Sequence, residues 1–208
     1  MAFAIMQEEG LERVTMRRLA NELDTGPASL YVYIRNTAEL HGALLDQLLS
    51  GLELPAPVPA VRWRESLGEL LESYTTLLLR YPSLARSVLT LRPSGGNYLR
   101  LIDIMLELLL SGGVRERQAA WGVDLLLQHA TAIAAEQGTR GEEVDPEHGP
   151  QLQAVAVQMA DPADYPYIGR VRHELFSGVG EQRMRWAFAA IIEGIGAIAT
   201  PGRMTPEG

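Results

Sequence analysis

The stretch from Val14 to Leu40 constrains the fold more than any other part of the chain, because it contains two short helical patterns separated by a tight break. In the first pattern apolar residues recur at a spacing of three or four, which places on one face Met16, Leu19, Ala20 and Leu23. Thr15 precedes them and is a suitable N-cap, since its hydroxyl can accept a hydrogen bond from a free backbone amide. Asp24, a residue type that tolerates a left-handed backbone, opens the break.

The second helix is predicted to begin at Pro27 and to extend to about Ile34, because a proline fits the first turn of a helix. The small side chain of Ala28 allows a close approach to a DNA groove. Hydroxyl groups that can reach base edges or phosphates follow at Ser29, Tyr31 and Tyr33. Two helices this short cannot form a core of their own, so the pattern predicts a helix-turn-helix whose second helix has an exposed face.

A third, longer helix is predicted directly afterwards. Asn36 can cap it, and Glu39 stands three residues later, where its carboxylate can complete a capping box. An apolar stripe then runs along the helix through Leu40, Leu44, Leu45, Leu48, Leu49 and Leu52. We expect this helix to connect the first part of the chain mechanically to the rest.

These residues closely resemble the DNA-binding domain of the tetracycline-repressor (TetR) family of transcriptional regulators. The resemblance rests on the run T-M-R-R-L-A-N-E-L and, after the break, on S-L-Y-V-Y-I-R-N-T-A-E-L. It implies that operator DNA is contacted by Thr15, Arg17, Pro27, Ala28, Ser29, Tyr31, Tyr33 and Thr37.

The chain departs from the family pattern at four positions between Val14 and Leu40. Asp24 stands where a glycine is usual, and Thr25 where an apolar residue is usual. Tyr33 replaces a common histidine. Thr37 replaces a lysine that normally meets a phosphate, so we expect weaker contact with the DNA backbone and unchanged sequence reading.

The charge of the chain is unusual for a DNA-binding protein. The formal net charge is -8, and residues 1–50 contain four arginines against seven acidic residues, a net charge of -3. We therefore expect few phosphate contacts and a shallow dependence of DNA affinity on salt. A second explanation is that this chain lacks a basic arm that often precedes the first helix in the family.

Composition excludes several other functions. The 208 residues are 47% apolar, which is ample for a buried core. The chain contains no cysteine, so it has no disulfide, thiolate metal site or cysteine nucleophile. No metal site or cofactor is expected. No apolar run is long enough to span a bilayer and no signal peptide opens the chain, so a cytoplasmic protein without membrane contact is expected.

The second part of the chain reads as helical throughout, so the predicted fold is all-α: a three-helix helix-turn-helix domain followed by a larger helical bundle. The proline-rich segment 54–60 places the predicted boundary between a DNA-binding domain, residues 1–53, and a ligand-binding and dimerisation domain, residues 54–208. Later helices are predicted over 63–81, 83–91, 96–111, 115–137, 152–159, 162–176 and 184–198. A polar loop is predicted over 138–150.

This part also resembles the C-terminal domain of the same family, through W-R-E-S-L at Trp63, R-Y-P at Arg80 and the run from Arg92 to Leu99. The resemblance implies a homodimer on a palindromic operator, released by a small-molecule effector. The expected dimer interface comprises Met184, Phe188, Ile191, Ile195 and Ile198. Residues predicted to bind the effector are Tyr74, Leu78, Tyr98, Ile102, Met105, Trp121, Leu125, Gln128 and His129, although the same residues also suit a plain apolar core.

Two other functions compete with this interpretation. An enzyme would need a nucleophile, paired carboxylates or a metal cluster, and the sequence offers only an acidic group in the polar loop, at Glu142, Glu143, Asp145 and His148. We interpret these four residues as part of a solvated loop. The other alternative is a helical adaptor of the same architecture that has lost DNA binding, which the acidic first domain favours.

Overall fold

The computed structural model describes residues 1–56, 60–91, 93–139 and 150–200, and every regular element in these ranges is a helix. The all-α prediction is therefore confirmed. The α-helices are α1 (Ala2–Glu9), α2 (Met16–Glu22), α3 (Pro27–Leu30), α4 (Thr37–Leu49), α5 (Trp63–Leu79), α6 (Pro82–Val88), α7 (Gly96–Ser111), α8 (Glu116–Thr139), α9 (Pro150–Met159), α10 (Pro166–Val171) and α11 (Gly180–Ala197). Short 3-10 helices occupy Leu11–Arg13 and Ala60–Arg62.

Local capping starts the second and fourth helices where the sequence predicts. The Thr15 hydroxyl accepts a hydrogen bond from the Arg18 amide at 3.1 Å, and the Asn36 side chain accepts one from the Glu39 amide at 2.8 Å. The Glu39 carboxylate differs from the prediction, because it accepts the amide proton of Arg35 rather than that of Asn36. The capping box is thus displaced by one residue and still satisfies a free amide ahead of α4.

The second helix of the helix-turn-helix is shorter than predicted. α3 ends at Leu30 and continues as a turn, in which the amides of Tyr33 and Ile34 both donate to the Leu30 carbonyl. Aromatic and β-branched residues follow one another here and have low helix propensity. Leu23 was predicted to share a face with Met16, Leu19 and Ala20, which are buried, but Leu23 is the C-cap of α2 and is 49% exposed.

The larger part of the molecule is built around α8. This helix packs against α5, α6, α7 and α11. α4 packs against α6 and α7, and its leucine stripe joins one continuous apolar core that reaches from α1 to α11. α4 is therefore a direct physical link between the helix-turn-helix and the bundle. The exact boundary at residue 53 stays a prediction.

Several later helix boundaries were wrong, mainly at prolines. Pro82 begins α6 instead of preceding it, and the helix predicted over 162–176 shrinks to the six residues that begin at Pro166. Proline lacks a backbone amide hydrogen, and the first turn of a helix does not need one, so proline can begin these helices. Residues 57–59 of the predicted connector, Arg92 of the run that ends at Leu99, and the loop residues 140–149 lie outside the described residues.

Candidate DNA-binding surface and internal cavity

The break between α2 and α3 is a closed, hydrogen-bonded turn. Asp24 has a φ of 47°, the left-handed conformation that the sequence predicts for it. The Thr25 amide donates to the Ala20 carbonyl at 2.9 Å, and the Asp24 amide donates to the Asn21 carbonyl at 3.2 Å. This pair of bonds is a Schellman motif, which normally uses glycine at the left-handed position. The turn fixes α3 relative to α2 despite the aspartate.

The eight residues predicted to contact DNA are all exposed. The aromatic rings reach furthest into solvent, since Tyr31 is 51% exposed and Tyr33 is 81% exposed. Val32 between them is 78% exposed and extends the same surface, although it was not among the residues predicted from the sequence. Its position between two tyrosines that were predicted to contact DNA could have identified it from the sequence. The surface can make apolar and hydroxyl contacts in a groove.

The two consecutive arginines of α2 differ in their surroundings. Arg18 forms ion pairs with Glu9 at 3.0 Å and with Glu22 at 2.9 Å. Arg17 is exposed and has no hydrogen-bond or ion-pair partner within the described part of the chain. Arg17 is therefore the better placed of the two for a phosphate contact.

A cavity of about 470 Å³ lies in the bundle between α5, α6, α7 and α8, next to α4. Four of the residues predicted to bind an effector line it: Tyr74, Tyr98, Ile102 and Gln128. The rest of the lining was not predicted from the sequence and is formed by Leu45, Val88, Leu89, Thr90, Leu91, Pro93, Asp124, Leu127 and Thr131. The volume falls in the range of sites that hold drug-sized molecules.

Polar groups are concentrated on the α8 wall of the cavity. The Thr131 hydroxyl donates to the Leu127 carbonyl at 2.8 Å, so the Tyr74 hydroxyl, 2.9 Å away, donates to Thr131. Burial raises the pKa of Tyr74 and keeps its phenol neutral. The Gln128 amide donates to the Asp124 carboxylate at 2.6 Å. The other walls are largely apolar, and this combination suits a ligand with a few polar substituents.

The other five predicted effector residues lie elsewhere. Leu78 and Met105 are fully buried in the core, whereas Trp121 and Leu125 are 56% and 50% exposed on the outer face of α8. His129 lines a different groove, of about 830 Å³, between α8 and α11. Its ring lies edge-on to Phe188 at 5.9 Å between centroids, and its Nε2 atom is buried without a hydrogen-bond partner in the described residues.

The residues predicted to form a dimer interface divide into two groups. Met184, Phe188 and Ile195 are buried, at most 9% exposed, on the side of α11 that packs on α5 and α8. Ile191 is half-buried, and Ile198 lies beyond the helix end and is 71% exposed. Ile192 is buried instead and continues the inward face. A four-and-three spacing identifies an apolar face without identifying its neighbour.

One long segment of the chain contains no fully buried residue, from residue 152 to residue 180. Most of its large apolar residues are exposed: Leu152, Val155, Met159, Tyr165, Tyr167, Val171, Leu175, Phe176 and Val179. Such a concentration of exposed apolar residues is typical of an interaction surface.

No group of three or more metal-ligating side chains is found among the described residues. No helix among those residues is long and apolar enough to cross a membrane.

Two known protein families together match nearly the whole chain. Residues 1–44 match the family described as bacterial regulatory proteins, tetR family, and residues 55–198 match the tetracyclin repressor-like C-terminal domain. The chain is 50% identical in sequence to SCO7704 from Streptomyces coelicolor, a protein described as a transcription regulator, whose crystal structure is known. The match covers 97% of this chain and 93% of that one, with a TM-score of 0.82.

Two further relatives have a described ligand or activity. ActR from Streptomyces coelicolor, a TetR family protein solved in complex with actinorhodin, is 33% identical, with 93% of this chain and 92% of that chain covered and a TM-score of 0.80. The HTH-type transcriptional repressor DrrR1 from Streptomyces coeruleorubidus is 39% identical over 81 residues, which are 39% of this chain and 30% of DrrR1. The chain thus spans less than a third of the length of DrrR1.

Proposed function

We propose a specific mechanism for this chain, which belongs to the TetR family of transcriptional regulators, a family of ligand-responsive proteins that are not enzymes. The chain acts as a repressor. It binds a palindromic operator as a homodimer, and a small molecule held in the cavity releases it from DNA.

The observation that carries this proposal is the position of α4 between the two sites. The predicted recognition segment ends at Ile34, and α4 begins three residues later. Leu45 of α4 lines the cavity. Eight residues separate Thr37 from Leu45, which corresponds to about 12 Å along a helix. A molecule that displaces Leu45 therefore acts on the rigid element that carries the DNA-binding surface.

The energetic requirement for release is modest. A ligand shifts an equilibrium only by its difference in affinity for the two conformations. A 100-fold loss of operator affinity needs a coupling free energy of about 2.7 kcal/mol. This lies within the usual range for allosteric proteins, so a small rotation of α4 is sufficient.

A homodimer is supported by the apolar surface that the single chain leaves exposed. Trp121 and Leu125 on α8 and Trp186 on α11 are at least half exposed, and the segment 152–180 buries none of its apolar residues. A second copy of the chain would cover these residues together with Ile191 and Ile198. Two-fold symmetry would then place the two recognition segments in successive major grooves, roughly 34 Å apart.

The effector that fits the cavity best is an aromatic molecule with hydroxyl or carbonyl groups. Tyr74 and Tyr98 offer aromatic faces, while Gln128, Thr131 and Thr90 supply hydrogen-bonding groups. ActR, which holds actinorhodin in its crystal structure, belongs to the same family. We therefore propose aromatic, polyhydroxylated compounds as the first class to test.

The test of DNA binding is an anisotropy titration with the DNA upstream of the protein's own gene. Replacing Tyr33 with alanine is expected to weaken specific binding at least tenfold, because the dimer loses two base contacts of about 1–3 kcal/mol each. Val61→Ala is the control, since Val61 is 87% exposed and lies in the 3-10 helix Ala60–Arg62, outside the recognition segment, the cavity and the proposed dimer surface. Equal affinities for Tyr33→Ala, Ser29→Ala and the control would refute the proposed recognition surface.

The adaptor alternative predicts a different result in the same titration. An adaptor of this architecture would bind the upstream DNA no more tightly than unrelated DNA, at any salt concentration. The observation that favours the adaptor is the acidic helix-turn-helix, which has a net charge of -3 over residues 1–50.

A further inference from the structure

Asp46 of α4 holds the first turn of α7 through three hydrogen bonds. One carboxylate oxygen accepts the backbone amide of Tyr98 at 2.9 Å, and the other accepts the side-chain amide of Asn97 at 3.2 Å. The same Asn97 amide also donates to the Asp46 backbone carbonyl at 3.0 Å. All three bonds are partly buried and join residues more than fifty positions apart.

The two helices meet so closely here that the residue before α7 has no room for a side chain. A Cβ atom at Gly95 would overlap the carboxyl group of Asp46. Gly95 is the N-cap of α7 and offers no capping side chain, so a carboxylate from α4 takes that role. A negative charge at a helix start satisfies free amides and interacts favourably with the helix dipole.

This contact lies directly against the wall of the cavity. The backbone amide of Tyr98 donates to Asp46, and Tyr98 also lines the cavity. Leu91 and Pro93 line the cavity and also line the surface groove along α4 that contains Asp46. Leu45, the residue before Asp46, completes the same wall. The cavity wall and the α4–α7 contact are therefore formed by the same short pieces of chain.

We propose that Asp46 and Asn97 form the latch that couples occupancy of the cavity to the position of α4. This inference rests on the proposed function. In the empty protein the latch holds α4 at the angle that suits the operator. A ligand that moves Tyr98 and the chain around Leu91 moves the start of α7, and the latch passes this movement to α4. Asp46 is a positioning residue, since it is not among the residues that line the cavity or those expected to contact DNA.

A tethered occupant tests the latch without knowledge of the natural effector. Gln128 lines the cavity and is exposed, and the chain has no cysteine, so Gln128→Cys can be labelled selectively with monobromobimane. Operator affinity is measured by anisotropy before and after labelling, on a duplex selected from random DNA by the unlabelled protein. The measurement is repeated with Asp46→Ala, and with Asp103→Ala as a control acidic residue that is exposed on α7.

With the latch intact, and in the Asp103→Ala control, the label is expected to weaken operator binding at least tenfold. In the Asp46→Ala background the same label is expected to change affinity less than twofold. Asp46→Asn keeps an acceptor for the Tyr98 amide and is expected to restore part of the response. A residue that only stabilised the fold would lower the melting temperature and leave the ratio between labelled and unlabelled affinities unchanged.

Each other outcome overturns a defined part of this reasoning. An equal loss of affinity on labelling with and without Asp46 refutes the latch and leaves the proposed function standing. A label without effect in the intact protein refutes the cavity as the effector site, and the latch with it. Absence of specific DNA binding by the unlabelled protein refutes the proposed function itself. Should Asp46→Ala fail to fold, Asn97→Ala removes two of the three bonds, and it must reduce the label effect at least threefold for the latch to stand.

Discussion

The salt dependence of operator binding follows from how few arginines of the helix-turn-helix are available to DNA. The first fifty residues contain four arginines, and Arg18 is held by two glutamates. The side chains of Arg13, Arg17 and Arg35 have no ion-pair partner within the described residues. A dimer therefore brings at most six arginines to phosphates.

Counterion release converts this number into a measurable slope. Each neutralised phosphate contributes about -0.9 to the slope of log affinity against log salt, so six contacts give about -5. A rise from 50 to 200 mM salt is then expected to weaken binding at most about 2,000-fold. Replacing Arg17 with glutamine removes two contacts from the dimer and is expected to reduce the slope to about -3.6.

Two further variants make the measurement specific. Arg18→Gln is the matched control, because its guanidinium is already paired with Glu9 and Glu22, and its slope is expected to stay near that of the parent. Thr37→Lys restores a charge at the exposed first residue of α4, and it is expected to steepen the slope to about -7. Both are measured by anisotropy titrations at four or more salt concentrations.

A parent slope of -9 or steeper would refute this reasoning, because it would require ten or more phosphate contacts from a surface that has six free arginines in the dimer. Equal slopes for Arg17→Gln and Arg18→Gln would refute the distinction between the two arginines.

Three further predictions concern stability. Asp24→Gly is expected to raise the free energy of unfolding by about 0.5–1 kcal/mol in a denaturant titration, because the left-handed position suits glycine, and an unchanged or lower value would contradict this. Gly112→Ala is expected to lower it by about 1–3 kcal/mol, since the new Cβ would overlap the buried indole of Trp63, whereas Gly68→Ala, in open space within α5, is expected to stabilise the protein. Burial lowers the pKa of His41, so the unfolded chain binds a proton at this side chain at a higher pH than the folded protein does. The free energy of unfolding is therefore expected to fall as the pH drops below about 6.5. His41→Gln is expected to flatten this pH dependence in melting experiments at a series of pH values.

Local sequence was sufficient for the features that involve only neighbouring residues. The caps at Thr15 and Asn36 and the left-handed Asp24 were predicted correctly. These structures depend on hydrogen bonds that span five residues or fewer, so their chemistry is visible in a short stretch of sequence. Local rules failed at α3, where a suitable start was followed by residues that do not sustain a helix.

Features that depend on the neighbour of a helix face were decided by the tertiary structure. The periodicity of α8 identified apolar faces, and only the fold directs Gln128 to the cavity while leaving Trp121 and Leu125 on the surface. The apolar face of α11 likewise turned out to cover the chain's own core. A helical period states which residues share a face, and it carries no information about what packs on that face.

The sequence by itself therefore determined that this chain is a helical DNA-binding regulator, because its turn, its caps and its recognition segment are local patterns. The tertiary structure alone decided the walls of the cavity and the contact between Asp46 and Asn97, whose partners are separated by 51 residues. Contacts of this kind arise when packing brings distant helices together, and no short stretch of sequence encodes them.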